Sequence, residues 1–400
     1  MNTQQIRFLE EIASNGHAAL NSMEYDGWVL RFSNGYTGRA NSVSVLRPSA
    51  KNAAEKVAYC EECYAKQGLP ALFKLTDCDA ELQDYLAKKG YGVVTPTDVM
   101  ILDLENTETA GSMQDCIFAE EPSGWFPAYF AFEELTDPGK QDLFRRIQAG
   151  VRVDKVYCTV MKDGRPAACA SGALEQGYML LQNVVVDPAL RGQGLGEKLC
   201  RAMIARAGVQ GARYVYLQVV QSNTAAMNLY RKLGFQKVYT YRYMRQPSVC
   251  FGEPGDIDSW MRLVRQVRGN FPGLETEENL EEHRQTVLKF MGKRQALCVK
   301  NSEGILAVLL FSRNRNMICC LAVAPEYRRN GFASMLLEKA LGEMDRSRDI
   351  TVSTFREEDE EGTAPRSLYR RFGFREGELT VEFGYPNQVF VLPGNTDRQA

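Results

Sequence analysis

The chain has 400 residues, which at roughly 150 residues per domain predicts two or three domains. Hydrophobic side chains make up 44% and charged side chains 24%, an ordinary balance that excludes wholesale disorder. Lys and Arg number 48 against 50 Asp and Glu, so the net charge of -2 provides no general basic field for a nucleic-acid backbone.

Histidine and cysteine usage narrows the chemistry further. The two histidines, His17 and His283, are far apart, which argues against a multi-histidine metal site and against most catalytic triads. The 11 cysteines are scattered, the N-terminus does not resemble a secretion signal, and no stretch approaches ~20 consecutive apolar residues. We therefore expect a cytoplasmic protein with no metal, no membrane partner and no nucleic-acid partner.

The front of the chain, residues 1–105, predicts a strand, a turn and a helix over 40–68, followed by a second helix ending in the Gly-aromatic sequence of LQDYLAKKGYG at 82–92. Cys60 and Cys63 form a CxxC within the first of these helices. With no second pair at zinc spacing, a structural role is favoured over a redox or metal-binding one. The polar segment ENTETAGSMQD at 105–115 suits a linker.

The middle of the chain predicts alternating strands and helices. Strands are expected at 178–186, 213–220 and 236–244, where apolar and β-branched residues concentrate. An amphipathic helix should begin at Leu195, and Asn223 should cap a second helix that runs through Tyr230. This order predicts an α/β or mixed α+β fold with a right-handed crossover and at least one parallel strand pair.

The last third repeats the middle. VVVDPALRGQGLG at 184–196 matches LAVAPEYRRNGFA at 321–333 with an offset of 137. NLYRKLGF at 228–235 matches SLYRRFGF at 367–374 with an offset of 139. Two separate motifs that keep their order and spacing indicate two homologous units, at 116–246 and 250–392.

Residues 1–105 resemble a third, degenerate copy of the same unit. When Gly90 is aligned with Gly234, Leu86 stands opposite Tyr230. The corresponding loop, LRPSAK, lacks both glycines. We expect this copy to keep the scaffold and to bind no cofactor.

The segment from Arg191 to Gly196 lies between a predicted strand and the first turn of a predicted helix. Its glycines let successive main-chain N–H groups converge, and the helix adds unpaired amides and the positive end of its dipole, so an anion fits there. The spacing is G-x-G-x-G, which differs from the dinucleotide-binding fingerprint and from the nucleotide-triphosphate loop.

Together these motifs resemble the GCN5-related N-acetyltransferases (GNAT), in particular the bacterial members with several copies of the fold. The segment WVLRFSNGYTGRANSV at 28–43 resembles the front half of those members. The resemblance implies tandem acyl-CoA N-acyltransferase folds, each a mixed, mostly antiparallel sheet flanked by helices. It also implies that the glycine-rich loop binds the pyrophosphate of acetyl-CoA and that the preceding strand pairs with the pantetheine arm.

Transferred by position, the resemblance assigns cofactor-binding roles in both motif-bearing units and one candidate catalytic tyrosine in each. The catalytic candidates are Tyr230 and Tyr369. The cofactor-binding candidates of the middle unit are Val184, Val186, Arg191, Gly192, Gln193, Gly194, Leu195, Gly196 and Asn223. Those of the last unit are Leu321, Val323, Arg328, Arg329, Asn330, Gly331 and Ala333.

The last unit departs from the pattern in one place. Ala364 and Pro365 replace the asparagine region, after the acidic insertion at 357–361. We therefore expect the middle unit to carry most of the catalysis.

Transfer of an acetyl group to an amine needs a neutral amine, alignment with the thioester and a proton for the departing thiolate. A phenol such as that of Tyr230 can supply the proton, since its ordinary pKa is near 10. The general base is not identifiable: the strand positions where some family members carry a glutamate hold Gln182 and Asn183 here, or Cys319 and Cys320 in the last unit. Glu133 and Glu134 are alternative candidates, and a water chain is a further possibility.

Two other functional classes stay open at this point. One is a non-catalytic acyl-CoA-binding protein that senses the cofactor. The other is a transferase that uses a longer acyl chain or charged tRNA, although the near-neutral charge disfavours tRNA. The favoured interpretation is an acetyl-CoA-dependent N-acetyltransferase that acts on a small amine or a peptide amine. The identity of the acceptor does not follow from the fold.

Overall fold

The structure, a computed structural model, describes residues 1–106 and 113–395. Contacts divide these residues into two units, each with its own sheet. The first unit comprises residues 1–83 and 93–245, and the second comprises 84–92 and the described residues from 246 onward.

The first sheet has eleven strands. They are β1 (Asn21–Tyr25), β2 (Trp28–Phe32), β3 (Val43–Val45), β4 (Leu72–Thr76), β5 (Gly92–Asp103), β6 (Cys116–Ala119), β7 (Asp154–Lys162), β8 (Arg165–Glu175), β9 (Tyr178–Val186), β10 (Tyr214–Val220) and β11 (Gln236–Arg245). Their order across the sheet is β1-β2-β3-β4-β11-β5-β10-β9-β8-β7-β6.

Among the described residues, seven α-helices belong to this part of the chain, although the C-terminal residues of α3 are grouped with the second unit. They are α1 (Thr3–Gly16), α2 (Ala53–Ala65), α3 (Ala80–Lys88), α4 (Phe126–Phe132), α5 (Pro138–Gly150), α6 (Leu195–Val209) and α7 (Thr224–Lys232). The strands and helices predicted for the middle of the chain are therefore present, with bounds that differ by one or two residues where the sequence specified them.

The sheet is mixed and mostly antiparallel. Its parallel pairs among the described residues are β3 with β4 and β9 with β10. The sequence prediction of a mixed, mostly antiparallel sheet flanked by helices, with at least one parallel pair, is confirmed.

The face of α6 that packs on this sheet builds much of the first core. Leu199, Cys200 and Met203 are fully buried, together with Val156 and Leu217 from the strands below. Each such side chain contributes about 1.5–3 kcal/mol by leaving water. This packing places the N-terminus of α6 next to the end of β9, where the glycine-rich loop joins them.

The second sheet has seven strands and repeats the same arrangement. Its elements are β12 (Ser248–Phe251), α8 (Ile257–Val267), α9 (Glu277–Gly292), β13 (Ala296–Lys300), β14 (Ile305–Ser312), β15 (Met317–Val323), α10 (Phe332–Gly342), β16 (Ile350–Phe355), α11 (Thr363–Arg371), β17 (Arg375–Glu382) and β18 (Tyr385–Leu392). Their order is β12-β13-β14-β15-β16-β18-β17, with β15 parallel to β16.

The front segment of the chain (residues 1–105) and the middle segment (residues 116–246) share one sheet within the first unit. Strand β11 of the middle segment lies between β4 and β5 of the front segment. The division into units at 1–105, 116–246 and 250–392 stays a prediction about the repeats. Of the predicted linker at 105–115, residues 107–112 lie outside the described residues.

The CxxC pair of the front segment lies on a helix, as the sequence predicts. Helix α2 contains both Cys60, which is buried, and Cys63, which is half-buried.

Across the described ranges, 1–106 and 113–395, no helix has the length and apolar character that a membrane crossing requires.

In the front segment, the loop LRPSAK at 46–51 corresponds to the glycine-rich loop, and it binds a carboxylate from the same chain. The Asp26 carboxylate accepts hydrogen bonds from the main-chain N–H groups of Ala50 (3.0 Å) and Lys51 (2.9 Å). The buried Lys56 ammonium lies 3.3 Å from the same carboxylate. Asn52 caps α2 by accepting from Glu55 N. The amides that would face a pyrophosphate are therefore engaged.

We expect no coenzyme A at this loop. Crystals soaked with coenzyme A should show no density against residues 47–51, because a diphosphate would have to displace the Asp26 carboxylate from two hydrogen bonds. Density at that loop would contradict the prediction. Density at the loop of 191–196 in the same crystals is the internal control for cofactor access.

Candidate functional site

Strands β9 and β10 separate from each other next to the glycine-rich loop. Their parallel pairing covers Tyr178 to Leu180 only, whereas β9 continues to Val186. Asn183 has a left-handed backbone (φ 56°), and the register of β9 against β8 shifts at this point. Val184 lies beyond this irregularity, on a stretch of β9 that has no strand partner on the β10 side. An extended ligand has main-chain groups to pair with there.

The glycine-rich loop has the backbone that its sequence predicts. Gly192 (φ 79°) and Gly194 (φ 76°) are both left-handed, a conformation that side chains with a Cβ rarely adopt. A Cβ built on either glycine would meet nothing within 4 Å, so the space in front of the loop is open. Gly196 differs, because a Cβ there would make ordinary contacts of 3.5 Å with Leu229 and Val186.

No hydrogen-bond partner for the first main-chain amides of α6 is found among the described residues. The first residue of α6 is Leu195, and its N-cap, Gly194, has no side chain to accept from these amides. The first amides of a helix have no acceptor inside the helix, so those of α6 are available to a ligand at this loop. In α2, by contrast, Asn52 accepts from Glu55 N in the first turn, and Asp26 accepts from the N–H groups of Ala50 and Lys51 just before the helix.

Basic side chains surround the loop. Lys162, at the end of β7, donates to Gln193 Oε1. Lys198 and Arg201 line an open pocket beside Gly194, where they are paired with Asp115 and Glu197 respectively. Arg191 and Gln193 are exposed at the rim. Sequence reasoning missed Lys162 and Lys198, and for Lys162 no local signal exists because it precedes the loop by about thirty residues.

Asn223 and Tyr230 hold the positions that their motif predicts on α7. The Asn223 side chain accepts from Ala226 N at 3.1 Å and caps the helix, which confirms the predicted cap. Tyr230 is buried among the residues of the first core, and its ring makes an edge contact with Phe235. Burial, with a smaller contribution from Cys200, raises the pKa of the Tyr230 phenol, so the hydroxyl stays protonated at neutral pH. No hydrogen-bond partner for this hydroxyl is found in the described part of the chain.

The second unit repeats the strand separation and the loop. Strand β15 pairs with β16 only at Met317 and Ile318, and its register against β14 shifts in the same place. Leu321 and Val323 lie beyond that point, half-buried. The irregularity in β15, at Cys319, lies 136 residues after Asn183, close to the repeat offset of 137.

The loop of the second unit keeps the backbone with different residues. Arg329 (φ 67°) and Gly331 (φ 83°) take the left-handed conformations of the two glycines in the first unit. Holding a non-glycine residue there costs on the order of 1 kcal/mol. Arg328 is exposed, Ala333 is half-buried in the first turn of α10, and Asn330 donates to the main-chain oxygen of Lys88 at 2.8 Å.

Tyr369 lies on α11 as Tyr230 lies on α7. It is buried against Phe374 and Phe390, and burial raises the pKa of its phenol, with a smaller effect of Cys320. The N-cap of α11 is Gly362, which provides no side-chain cap, and Pro365 lies in the first turn. The two tyrosines therefore have similar surroundings, while the helix starts before them differ.

Glu133 lies within electrostatic range of Arg191 in the first unit's loop. Its side chain is accessible to solvent, and desolvation by the protein atoms around it raises the pKa of its carboxyl. The positive charge of Arg191 partly opposes that rise. The charge of Glu133 in turn raises the pKa of Tyr36 and Tyr129, so these side chains form one cluster.

Gln182, at the strand position where a glutamate was considered, is buried and engaged. Its Nε2 donates to Gly16 O at 2.7 Å, and its Oε1 accepts from Arg39 at 3.3 Å. Arg39 was not among the predicted site residues, since only the fold brings it beside β9. Cys319 and Cys320 lie on β15, where Cys320 is close enough to raise the pKa of Tyr369.

Two family descriptions match the chain. Residues 3–244, more than half of the chain, match the family described as probable histone acetyltransferase Rv0428c C-terminal. Residues 293–376 match the acetyltransferase (GNAT) domain. The first match spans the front and middle segments together, in agreement with their common sheet.

Similar proteins are acetyltransferases by description. An uncharacterized N-acetyltransferase YobR from Bacillus subtilis is 27% identical over 246 residues, which cover 60% of this chain and 97% of that protein. A [ribosomal protein bS18]-alanine N-acetyltransferase from Haemophilus ducreyi is 41% identical over 58 residues, 14% of this chain and 40% of that protein. Among solved structures, a GCN5-related N-acetyltransferase from Kribbella flavida has a TM-score of 0.47 at 16% identity, over 63% of this chain and 97% of that one.

The match over 3–244, the GNAT domain match in the second unit and the repeated architecture agree with each other. The chain therefore belongs to the family described as probable histone acetyltransferase Rv0428c C-terminal, and it is a tandem member of the GCN5-related N-acetyltransferases, which transfer an acetyl group from acetyl-CoA.

Proposed function

We propose that the first unit transfers the acetyl group of acetyl-CoA to a primary amine of a small molecule or peptide by direct attack of the amine on the thioester. The observation that carries this proposal is the combination of separated strands, an uncapped helix N-terminus and a buried, protonated tyrosine within one unit. The front copy of the loop lacks these features, since its amides are engaged by Asp26.

The residues of the first unit fit acetyl-CoA as a substrate. The open space before Gly192 and Gly194 accepts a pyrophosphate, which the free amides of α6 would bind together with the nearby basic side chains. The unpaired stretch of β9 at Val184 and Val186 would hold the pantetheine arm through main-chain hydrogen bonds. Alignment of this kind supplies several kcal/mol of the rate enhancement.

The proton balance assigns roles to two side chains. The amine nitrogen forms a bond to the carbonyl carbon of the thioester, the carbon–sulfur bond breaks, and the thiolate leaves. Glu133 accepts the proton released by the amine, and Tyr230 donates a proton to the thiolate. Both groups return to their starting states by exchange with solvent.

A raised pKa at Glu133 predicts a low-pH limb in the rate. The base works as the carboxylate, so kcat/KM falls as pH decreases through the pKa of Glu133, at a pH above the ordinary value of 4.5. We expect Glu133→Gln to remove this limb from the pH profile of kcat/KM. Glu134→Gln is the matched control and should retain it, and a limb unchanged in Glu133→Gln would assign the base elsewhere.

Thiol release tests the proposed function directly. The wild-type chain, acetyl-CoA and a panel of amines should release thiol in an amine-dependent way, while calorimetry measures cofactor binding alone. Binding without release on any amine would contradict the proposal and favour the acyl-CoA sensor. Release only from other acyl or aminoacyl donors would favour the alternative transferase.

The second unit keeps a loop and a tyrosine, and we propose that it binds acyl-CoA or supports assembly with little catalysis of its own. The candidate residues for binding acyl-CoA in the second unit are those from Arg328 to Ala333, with Leu321 and Val323 on β15. The uncapped start of α11 and the engaged Asn330 side chain favour this assignment.

A further inference from the structure

The loop at residues 33–41, within the first unit, is held in a defined conformation by one buried side chain. Asn41 Oδ1 accepts from the N–H groups of Ser33 and Gly35, and its Nδ2 donates to the carbonyl oxygens of Tyr36 and Thr37, at 2.6–2.9 Å. Thr37 has a left-handed backbone (φ 61°), which is rare for a β-branched residue. The loop is therefore organised in advance of any ligand.

This loop carries an arginine without a carboxylate partner. Arg39 is half-buried, and among the described residues its guanidinium donates only to Gln182 Oε1, at 3.3 Å. The structure forms no ion pair to it from residues 1–106 or 113–395. A guanidinium has five N–H donors, so in the described part of the chain most of those of Arg39 are left for a ligand or for solvent.

Buried polar groups beneath Arg39 also lack partners. His17 is 1% exposed, and its Nδ1 has no hydrogen bond in the described part of the chain. Its Nε2 lies 3.5 Å from Thr37 Oγ1. The Tyr243 hydroxyl, on a residue 5% exposed, is likewise unpaired among the described atoms. An unpaired buried polar atom costs about 1–3 kcal/mol, so two at one place point to a ligand that satisfies them.

The charges around this cluster are predominantly positive. Arg31 is buried and donates only to carbonyl oxygens, those of Ser14, His17 and Arg39. Burial, Arg39, Arg31 and Lys74 together hold the pKa of His17 well below its usual range, although the nearby Gln182 side chain partly opposes this, so its ring is neutral.

Two acidic groups act on residues of this cluster. Glu10 is paired with Lys74 at 2.6 Å and accepts from Tyr239 at 2.8 Å. The charge of Glu133 raises the pKa of the Tyr36 phenol, and that of Arg39 lowers it. The cluster therefore offers N–H and O–H donors and a net positive charge to an anion.

We propose that Arg39, with Thr37 and His17, binds a carboxylate of the acceptor, so that the acceptors are small amines that also carry a carboxylate. This inference rests on the proposed function and specifies its substrate class. A planar carboxylate matches the two-pronged geometry of a guanidinium. Gln182, the contact of Arg39, precedes Val184 by two residues on β9, so the anion would lie beside the place of acetyl transfer.

The experiment uses matched pairs of acceptors in which a neutral carboxamide replaces the carboxylate, compared at equal concentrations of the neutral amine. A panel of α-, β- and γ-amino acids and their carboxamides is tested with wild type for thiol release, and for binding to the coenzyme A-loaded protein by calorimetry. We expect at least one amino acid to exceed its carboxamide by about 10- to 100-fold in kcat/KM, mainly through KM, and in affinity. Arg39→Met should bring the ratio of kcat/KM for the amino acid to that for its carboxamide close to one.

The controls separate loss of the anion site from loss of the fold. Arg152→Met, at an exposed arginine before β7, should retain the preference, and Arg39→Lys should restore part of it. Equal binding and turnover of every amino acid and its carboxamide would overturn the inference while leaving the proposed function intact. A carboxylate preference in binding without thiol release would instead keep the anion site and contradict the proposed acetyl transfer.

Discussion

Replacing Gly194 by valine should lower the affinity of the first unit for coenzyme A by at least about 30-fold. Gly194 has φ 76°, where a β-branched residue is strained, and its Cβ would enter the open space that the pyrophosphate needs. The measurement is calorimetry with coenzyme A. It is made in a chain that also carries Gly331→Val, so that the loop of the second unit does not contribute.

Gly196→Ala is the matched control for this variant. A Cβ at Gly196 makes only ordinary contacts of 3.5 Å, and the second unit has Ala333 at the same place in the repeat. Its affinity should stay within about threefold of wild type, since ordinary contact carries no strain. Unchanged coenzyme A affinity in the Gly194→Val, Gly331→Val chain, with circular dichroism showing an intact fold, would defeat the assignment of the loop.

Removing the hydroxyl of Tyr230 should lower turnover by at least about 10-fold while coenzyme A affinity hardly changes. Loss of a proton donor costs typically ~10² to 10⁴ in rate and acts on kcat more than on binding. Burial keeps the Tyr230 phenol protonated, and its hydroxyl has no competing partner in the described residues. The measurement is steady-state kinetics of Tyr230→Phe with one working acceptor amine.

Tyr369→Phe is the comparison that decides between the two units. Both tyrosines are buried, and burial raises the pKa of both phenols, so the phenols do not distinguish the sites. The N-termini of the two helices do distinguish the sites, because Asn223 caps α7 whereas Gly362 leaves α11 without a side-chain cap. We expect Tyr369→Phe to have little effect, and the opposite ranking would move the active site to the second unit.

Local sequence determined much of the two motif-bearing units. Glycines at 192 and 194 predicted a loop whose main-chain N–H groups can converge, and the structure shows both with the left-handed backbone that few other residues adopt. Alternation of buried strands with amphipathic helices predicted α6, α7 and the strands around them, and the offset of 137 placed the second loop. These are short-range properties, set by side-chain periodicity and backbone conformation.

Tertiary structure decided which distant residues meet. Strand β11 pairs with β4, so the front segment shares a sheet with the middle segment, which no local pattern indicated. Asp26 reaches the amides of Ala50 and Lys51 from the preceding hairpin, and it explains in physical terms why that loop does not need glycines.

The difference between local motifs and long-range contacts also separates the site residues that were predictable from those that were not. The sequence by itself determined the loop, the tyrosine and the helix cap, because each is a residue type at a fixed place in a local motif. The juxtaposition of Arg39, His17 and Gln182 came only from the fold, since Arg39 and Gln182 are 143 residues apart and meet through the packing of the loop at 33–41 against β9. The proposed recognition of the acceptor depends on such long-range contacts, whereas binding of a phosphate at a helix N-terminus depends mainly on the local backbone.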